Sequence, residues 1–509
     1  MPEFSANIAS WLAGHAQTRG DALALTDTER RLDYAELDAR VQRCAGALAA
    51  RGVQAGDRVA LVLGNSTSYL ETLFAAARLG AIAVPLNARL TAPELRGLLA
   101  DCTPRVLVSD ARHADAAREA GEVLGERRFE QIPDARAYAA ALAAATPHSH
   151  IASVAPEDPA ILMYTSGTTG VPKGALLPHR KALYNAKNAE IFFGLTPQDR
   201  VLVVLPLFHS FGLKILSLPT LYAGGSVHLA ARFEPERIWD QVGSEGICFF
   251  GGVPTMFRAL LETLEAAPPD RFHLDTLRFL FTAGEAIPLD VIRGFEAQGL
   301  VLQQGFGQTE TSILCCLDAR DAIRKAGSVG RPVRHVELRL IALDSLDGPA
   351  QEWRDVTAGE TGEIVARGPI TMTGYWQRPR ETAAVLHGEW LRTGDLAMRD
   401  DEGFYTLVGR ARHMFIYGGE NVYPAEIEAI YEEHPAVSEI AVVGVPDSRW
   451  GEVGHAYCVP SRGERIEADV LREWGAQRLA DFKLPRRFFE VAELPRTETG
   501  KIKKHELRG

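Results

Sequence analysis

The 509-residue chain carries 55 Lys and Arg against 66 Asp and Glu, a net charge of −11, and is 46% hydrophobic. This balance argues against broad non-specific nucleic-acid binding. Its six cysteines, spread without any CxxC spacing, fit reduced thiols in a cytosolic protein, and the length predicts about three to five packed units.

The first residues, "MPEFSANIASWLAGHAQTRG", lack a basic segment followed by an uninterrupted apolar run, so no secretory signal is read there. No stretch approaches the roughly 20 apolar residues of a membrane span. A cytoplasmic location is expected, with peripheral membrane association left open.

From Leu32 to Gly52 the apolar spacing is helical, and "DRVALVLGN" (Asp57 to Asn65) reads as a strand. The helix "SYLETLFAAARLG" and the strands "AIAVPLN" and "RVLVSD" follow, and this alternation predicts layered α/β structure. Alanine-rich Asp134 to His150 is expected to be a surface helix and linker. Next comes "YTSGTTGVPKG", Tyr164 to Gly174, after the apolar run Ala160 to Met163. Glycines let successive N–H groups converge on an anion, hydroxyls add donors and Lys173 adds charge. A Walker A loop is excluded, because Gly174 follows Lys173 where that motif has Ser or Thr.

The α/β texture continues through "RVLVVLPLFHS", "SVHLA", "GICFFGGVP" and "LRFLFTAGEAI". Past about residue 325, "HVELRLI", "GEIVARG" and "GFYTLVGR" are short strands between turn signals, predicting a β-rich subdomain. After Arg410 a helix around Ala425 to Glu433, the strand "EIAVVGVP" and a basic end with "TGKIKK" form a further unit. The expected domains are 1–410 and a mobile α+β domain 411–509, with a hinge near Arg412.

Several polar signatures sit at the ends of apolar runs: "LFHSFG", "TAGEA", "QGFGQTE" and "RTGDLA". In layered α/β proteins such ends converge on a binding crevice. With the opening loop and the terminal "PRTETGKIKK", the chain resembles the acyl- and aryl-CoA synthetases of the adenylate-forming enzymes over nearly its whole length. The resemblance implies an AMP-forming ligase that uses ATP, Mg²⁺ and coenzyme A. A carboxylate attacks the α-phosphate to give acyl-AMP and pyrophosphate, and a thiol then displaces AMP. It also implies a large N-terminal adenylate-forming domain and a small C-terminal domain that rotates between the two steps.

Residue by residue, the resemblance assigns Thr165, Ser166, Gly167, Thr168, Thr169, Gly170 and Lys173 to the triphosphate. Glu310 matches the magnesium-associated carboxylate and Thr309 a phosphate-facing hydroxyl. Gly284, Glu285 and Ala286 pack near adenine together with Gly305 and Phe306, the last replacing a more usual tyrosine. Asp395 and Arg410 match ribose contacts. His209 stands near the carboxylate tunnel; Gly418 and Gly419 resemble the segment passed by the CoA arm. Lys501 is the lysine of the adenylation step, while Lys503 and Lys504 read as solubilising charges. Arg412 and His413 depart from the hinge's usual Asp or Lys and Asp.

For the acid, a mostly apolar lining with small Gly251, Gly252 and Gly307 leaving room points first to a medium- or long-chain fatty acid, and next to a benzoate or hydroxycinnamate. Lys214, alone in an apolar run, is expected to point outwards or snorkel, with a second polar substrate group as the alternative. A carrier protein's phosphopantetheine arm stays open as the thiol acceptor, and a homodimer as the assembly.

Overall fold

The computed structural model describes residues 6–507 except 125–129, 133, 166–171, 269, 284–286, 319, 418–419, 448, 480, 498–499 and 501. By compactness the chain forms two units, Met1–Leu338 with Ala366–Leu391, and Arg339–Val365 with Arg392–Gly509. Length alone predicted more. The reason for the smaller number is that the layers of the first unit share core: one buried cluster runs from Ile8 to Leu391 and draws on both of that unit's sheets. The hinge expected near Arg412 concerns movement, which compactness does not measure.

In the first unit the predicted alternation becomes two sheets. The seven-stranded sheet has a parallel centre: Arg58–Val62 lies between Ile82–Pro85 and Val106–Ser109. These strands read as near-continuous apolar runs because both faces are covered. The helix Tyr34–Ala50 starts at a capping box, in which the Asp33 carboxylate accepts from Glu36 N at 2.8 Å and Glu36 accepts from Asp33 N at 3.1 Å. Two orphan N–H groups are thereby satisfied.

Pro159–Thr165 (β1) and Lys173–Pro178 (β2) form an antiparallel hairpin at one side of this sheet, with Thr165 opposite Lys173. The helix His179–Phe193 (α1) follows. It buries Ala186, Ala189 and Phe193 in the cluster that also holds Ala175 and Leu177 of β2 and Phe249, Phe279 and Phe281 of the nine-stranded sheet. The Phe193 ring stands 4.8 Å from Phe281 and 5.4 Å from Phe279, so α1 is locked between the sheets.

In the nine-stranded sheet Phe279–Ala283 (β3) pairs in parallel with Leu302–Gln308 (β4), which turns back antiparallel into Ser312–Leu317 (β5). The "QGFGQ" segment is thus strand, and only the residues after it form the turn. Gly374–Tyr375 (β6) adds antiparallel to β2.

In the second unit, Asp395 lies within the strand Trp390–Arg399 (β7) rather than at a strand end, and pairs with Arg410 of Tyr405–Arg410 (β8). The helix Pro424–Glu432 (α2) buries Ile427 and Tyr431 in a cluster with Ile440, Val442 and Val453 of a long antiparallel hairpin, Val437–Asp447 with Gly451–Pro460. That is the α+β texture expected of the C-terminal end. Among the described residues no helix is long and apolar enough to cross a membrane.

Candidate active site

Hairpin geometry brings the first site residues together. β1 ends at Thr165 and β2 begins at Lys173. The Thr165 hydroxyl lies 3.4 Å from Lys173 O and 3.5 Å from Glu310 Oε1. Ser166, Gly167, Thr168, Thr169 and Gly170 lie outside the described residues, as do Gly284, Glu285, Ala286, Gly418, Gly419 and Lys501.

Thr309 to Thr311 form the turn between β4 and β5. Thr311 Oγ1 accepts from Gln308 N at 3.1 Å and donates to Ser312 O at 3.1 Å. Ser312 has φ +59°, a left-handed conformation that costs energy for a residue with a Cβ. Its hydroxyl accepts from the buried Lys181 ammonium at 2.8 Å, and Lys181 also donates to Ile370 O. Lys214 Nζ donates to Thr309 O at 2.8 Å, Met372 N to Glu310 O at 2.8 Å, and Tyr375 Oη to Glu310 Oε1 at 2.9 Å. Three separate segments therefore grip one turn and present Glu310.

The lysine expected to reach outwards does the opposite. Lys214 is 3% exposed, on a π-helical turn, Phe211–Ser217, that starts two residues after His209. Such wide turns are rare and often mark functional sites. Asn185 Nδ2 donates to Lys214 O at 2.6 Å. Burial holds the Lys214 ammonium down to about 7, against the upward pull of the Glu310 carboxylate. Lys181 is driven well below the usual lysine range by burial first and then by the Lys214 charge, with Glu310 again opposing.

Lys214 therefore makes a prediction about stability. With its folded value near 7 and an unfolded value near 10.4, the unfolded chain binds more protons between those limits, and this group makes stability rise with pH there. Lys214→Met abolishes that contribution. The melting temperature of the variant minus that of the parent should fall as pH is raised from about 7 to 10, and a constant difference would contradict a depressed ammonium.

His209 closes the loop after strand Arg200–Val203, its N donating to Pro206 O at 3.1 Å and its Nδ1 accepting from Phe211 N at 3.3 Å. Phe306 is buried at 8% exposure in β4. The glycines do not leave the room expected of them. A Cβ at Gly307 would stand 1.9 Å from Ser312 O, one at Gly251 2.7 Å from the Phe211 ring, and one at Gly252 3.2 Å from Phe257. A Cβ at Gly305 would likewise stand 2.4 Å from Phe281. Neighbouring backbone and aromatic rings fill these spaces, so the glycines serve close approach.

In the second unit Asp395, 4% exposed, holds Arg410 Nε at 2.6 Å, and its own N donates to Thr393 Oγ1 at 3.0 Å. A cavity of about 170 Å³ is lined by Asp395, Leu407, Gly409, Arg410, His413, Pro424, Ala425 and Lys504. Lys504 is no solubilising charge. Its side chain is 14% exposed and paired with Glu428, whose Oε1 also accepts from Val442 N at 2.6 Å. Burial and the nearby Glu428 push Glu432 up to about 7, with Lys504 opposing. Lys503 pairs with Glu506 at 3.0 Å on the surface.

Sequence reasoning missed Tyr375, Lys181 and the buried role of Lys504. For Tyr375 no local signal exists, because its partner Glu310 is 65 residues away.

The AMP-binding enzyme family model matches residues 12–376, and the AMP-binding enzyme C-terminal domain model matches residues 426–501. A feruloyl-CoA synthase of an Amycolatopsis species is 41% identical over 504 residues, 98% of each chain. An indoleacetate–CoA ligase of Aromatoleum aromaticum is 40% identical over 510 residues, 98% of this chain and 97% of its own. A long-chain-fatty-acid–CoA ligase of Mycobacterium tuberculosis is 35% identical over 491 residues, 94% of this chain and 93% of its own. Among solved structures, the o-succinylbenzoate coenzyme A synthetase of Bacillus subtilis in complex with ATP and magnesium ion superposes with a TM-score of 0.86 at 31% identity, covering 98% of each chain.

Proposed function

The chain belongs to the AMP-binding enzyme family, and from that premise we propose that it joins an aromatic acid, a hydroxycinnamate or an arylacetate, to coenzyme A. At the coarser level it is an AMP-forming acid–thiol ligase that uses ATP and Mg²⁺. The observation carrying the aromatic choice is that two relatives at 41% and 40% identity over nearly the whole chain are a feruloyl-CoA synthase and an indoleacetate–CoA ligase. The fatty-acid relative stands lower, at 35%. Free coenzyme A, rather than a carrier protein, is the proposed acceptor.

The acid's carboxylate is anionic at neutral pH, so it needs no base to attack the α-phosphate. Orientation and charge are what the protein must supply. Thr165 and Lys173 take phosphate oxygens, His209 flanks the reacting carboxylate, and Lys501 meets the charge developing at phosphorus. Phe306 stacks on adenine beside Gly305 and the 284–286 segment. Asp395 accepts from the ribose hydroxyls while Arg410 holds its other oxygen. The Gly418–Gly419 segment lets the pantetheine arm pass after the second domain, 411–509, has turned at Arg412.

Magnesium fits this chain: Glu310 offers a hard carboxylate oxygen, Oε2, that takes no hydrogen bond or ion pair among the described residues. Bound there, the ion would supply positive charge to neutralise phosphate. Glu310 is the residue that would hold it.

Apolar area alone does not separate rings from chains, since each 100 Å² buried contributes about 2.5 kcal/mol in either; pocket shape does. Ferulate, indoleacetate, benzoate, octanoate and palmitate, compared below saturation by mass detection of the CoA thioester, should give kcat/KM at least about tenfold higher for a ring acid than for either alkyl acid. Octanoate or palmitate in the lead would restore the fatty-acid reading. Adenylate formation without any thioester would point to a carrier protein.

A further inference from the structure

We propose that Tyr375 is a positioning residue for adenylation: one side chain sets both the carboxylate of Glu310 and the ammonium of Lys173. This rests on the roles given to Glu310 and Lys173 above.

The phenol donates to Glu310 Oε1 at 2.9 Å, the oxygen that also faces Thr165 Oγ1 at 3.5 Å. Both contacts fall on one oxygen, so the carboxylate is fixed about its last torsion with Oε2 left over. A hydrogen bond to a charged group is stronger than one between neutral groups, enough to select one rotamer of a partly buried glutamate. On its face the same ring carries Lys173, with Nζ 5.5 Å from the centroid, inside cation–π range. The lysine at the base of the phosphate loop and the carboxylate on the metal side are therefore referenced to one aromatic ring.

That ring is itself held from several directions. β6 pairs with β2 so that Tyr375 lies opposite Ala175, two residues beyond Lys173. Tyr375 N donates to Thr382 Oγ1 at 2.9 Å. Gly374 has φ +152°, and a Cβ there would come within 2.9 Å of Thr382 Cγ2, so only glycine brings the two segments this close. On the other side Trp376 N donates to Gly174 O at 2.7 Å and Trp376 Nε1 to Asp101 O at 3.1 Å. Asp101 in turn accepts from Arg378 at 2.7 Å and from Tyr164 Oη at 2.6 Å. Met372, three residues before Tyr375, holds Glu310 through the backbone at 2.8 Å. Strand β6 thus joins the phosphate hairpin to the Glu310 turn, and Tyr375 is where that joint acquires side-chain chemistry.

Tyr375→Phe keeps the ring and deletes only the hydroxyl; Tyr375→Leu deletes both. The phenylalanine variant should raise the Mg²⁺ concentration for half-maximal pyrophosphate release about tenfold, the scale seen when a group orienting a metal ligand is lost, with kcat at saturating Mg²⁺ within about threefold. Mn²⁺ binding in the presence of α,β-methylene-ATP, read by electron paramagnetic resonance without turnover, should weaken by the same factor. In a Glu310→Gln background the phenylalanine change should alter the Mg²⁺ requirement by less than about twofold, because the hydroxyl then has no carboxylate to aim. The leucine variant, unlike the phenylalanine one, should also weaken metal-free nucleotide binding about threefold, through Lys173.

A parental Mg²⁺ and Mn²⁺ response in Tyr375→Phe would overturn the proposal. So would an equal effect in both backgrounds, which denotes packing alone. Glu310→Gln measured by itself separates the two levels: if that variant keeps the parental Mg²⁺ requirement, the role of Glu310 has failed and the inference falls with it. Melting temperatures identify any variant that is merely misfolded.

Discussion

Replacing Lys501 with alanine is expected to slow acyl-adenylate formation by at least about 100-fold, while acyl-AMP supplied from outside still passes to coenzyme A at a rate within a few-fold of the parent. A hundredfold is about 2.7 kcal/mol of lost transition-state stabilisation, the size removed with one well-placed donor at a developing anion. Lys501 lies outside the described residues, yet the chain around it is well anchored. Arg496 and Ile502 form an isolated antiparallel bridge, Lys503 N donates to Pro495 O at 2.7 Å, and Arg496 donates to Gly500 O at 2.6 Å while pairing with Glu439 at 2.9 Å. Lys504 is tied to Glu428 and Leu507 is buried. Removing the Lys501 side chain disturbs none of these contacts, so melting should be nearly unchanged. Rapid-quench measurement of each half-reaction decides the matter. Equal large losses in both would reject a lysine that serves one step only, and unchanged adenylation would remove it from the chemistry.

What the sequence showed, and what it hid, follows from the range of the interactions concerned. Buried parallel strands announce themselves locally, because a strand covered on both faces must be apolar throughout; "RVALV", "RVLV" and "FFGG" each became a strand where expected. The order of polar signatures was equally legible, and it carried the family. Burial of a single charge is different, since it depends on what another segment brings. Lys214 reads as a snorkelling lysine until Thr309 O is placed 2.8 Å away, and Lys504 reads as a tail charge until α2 supplies Glu428. Glycines hide their purpose in the same way. Gly307 suggests room for substrate, whereas the irregular β4–β5 pairing uses it to let Ser312 O approach. Ring acid against chain acid is less legible still, because both would be lined by the same apolar residues.

Glu310→Gln is the other change expected to have a large effect. Glutamine keeps the volume and an oxygen but removes the charge that makes Glu310 a magnesium ligand. The turn should survive, since most of its supports do not use the carboxylate charge: Lys214 reaches Thr309 O, Met372 N reaches Glu310 O, and Lys181 reaches Ser312 Oγ. Adenylation at about millimolar Mg²⁺ should therefore slow roughly 30-fold, within the range that loss of metal-site groups produces. Much of the loss should return at high Mg²⁺, while transfer from supplied acyl-AMP stays within about twofold. The charge change has a second consequence that does not involve the metal. Glu310 raises both buried ammoniums, so its neutralisation should lower Lys214 further below 7. A titration following the Lys214 ε-methylene and amine by nuclear magnetic resonance reads this directly, in protein free of nucleotide and metal. If the Lys214 transition moves down but the Mg²⁺ requirement does not, Glu310 is an electrostatic partner of the buried lysines and not the metal carboxylate. If the Mg²⁺ requirement rises at the same time, one carboxylate serves both.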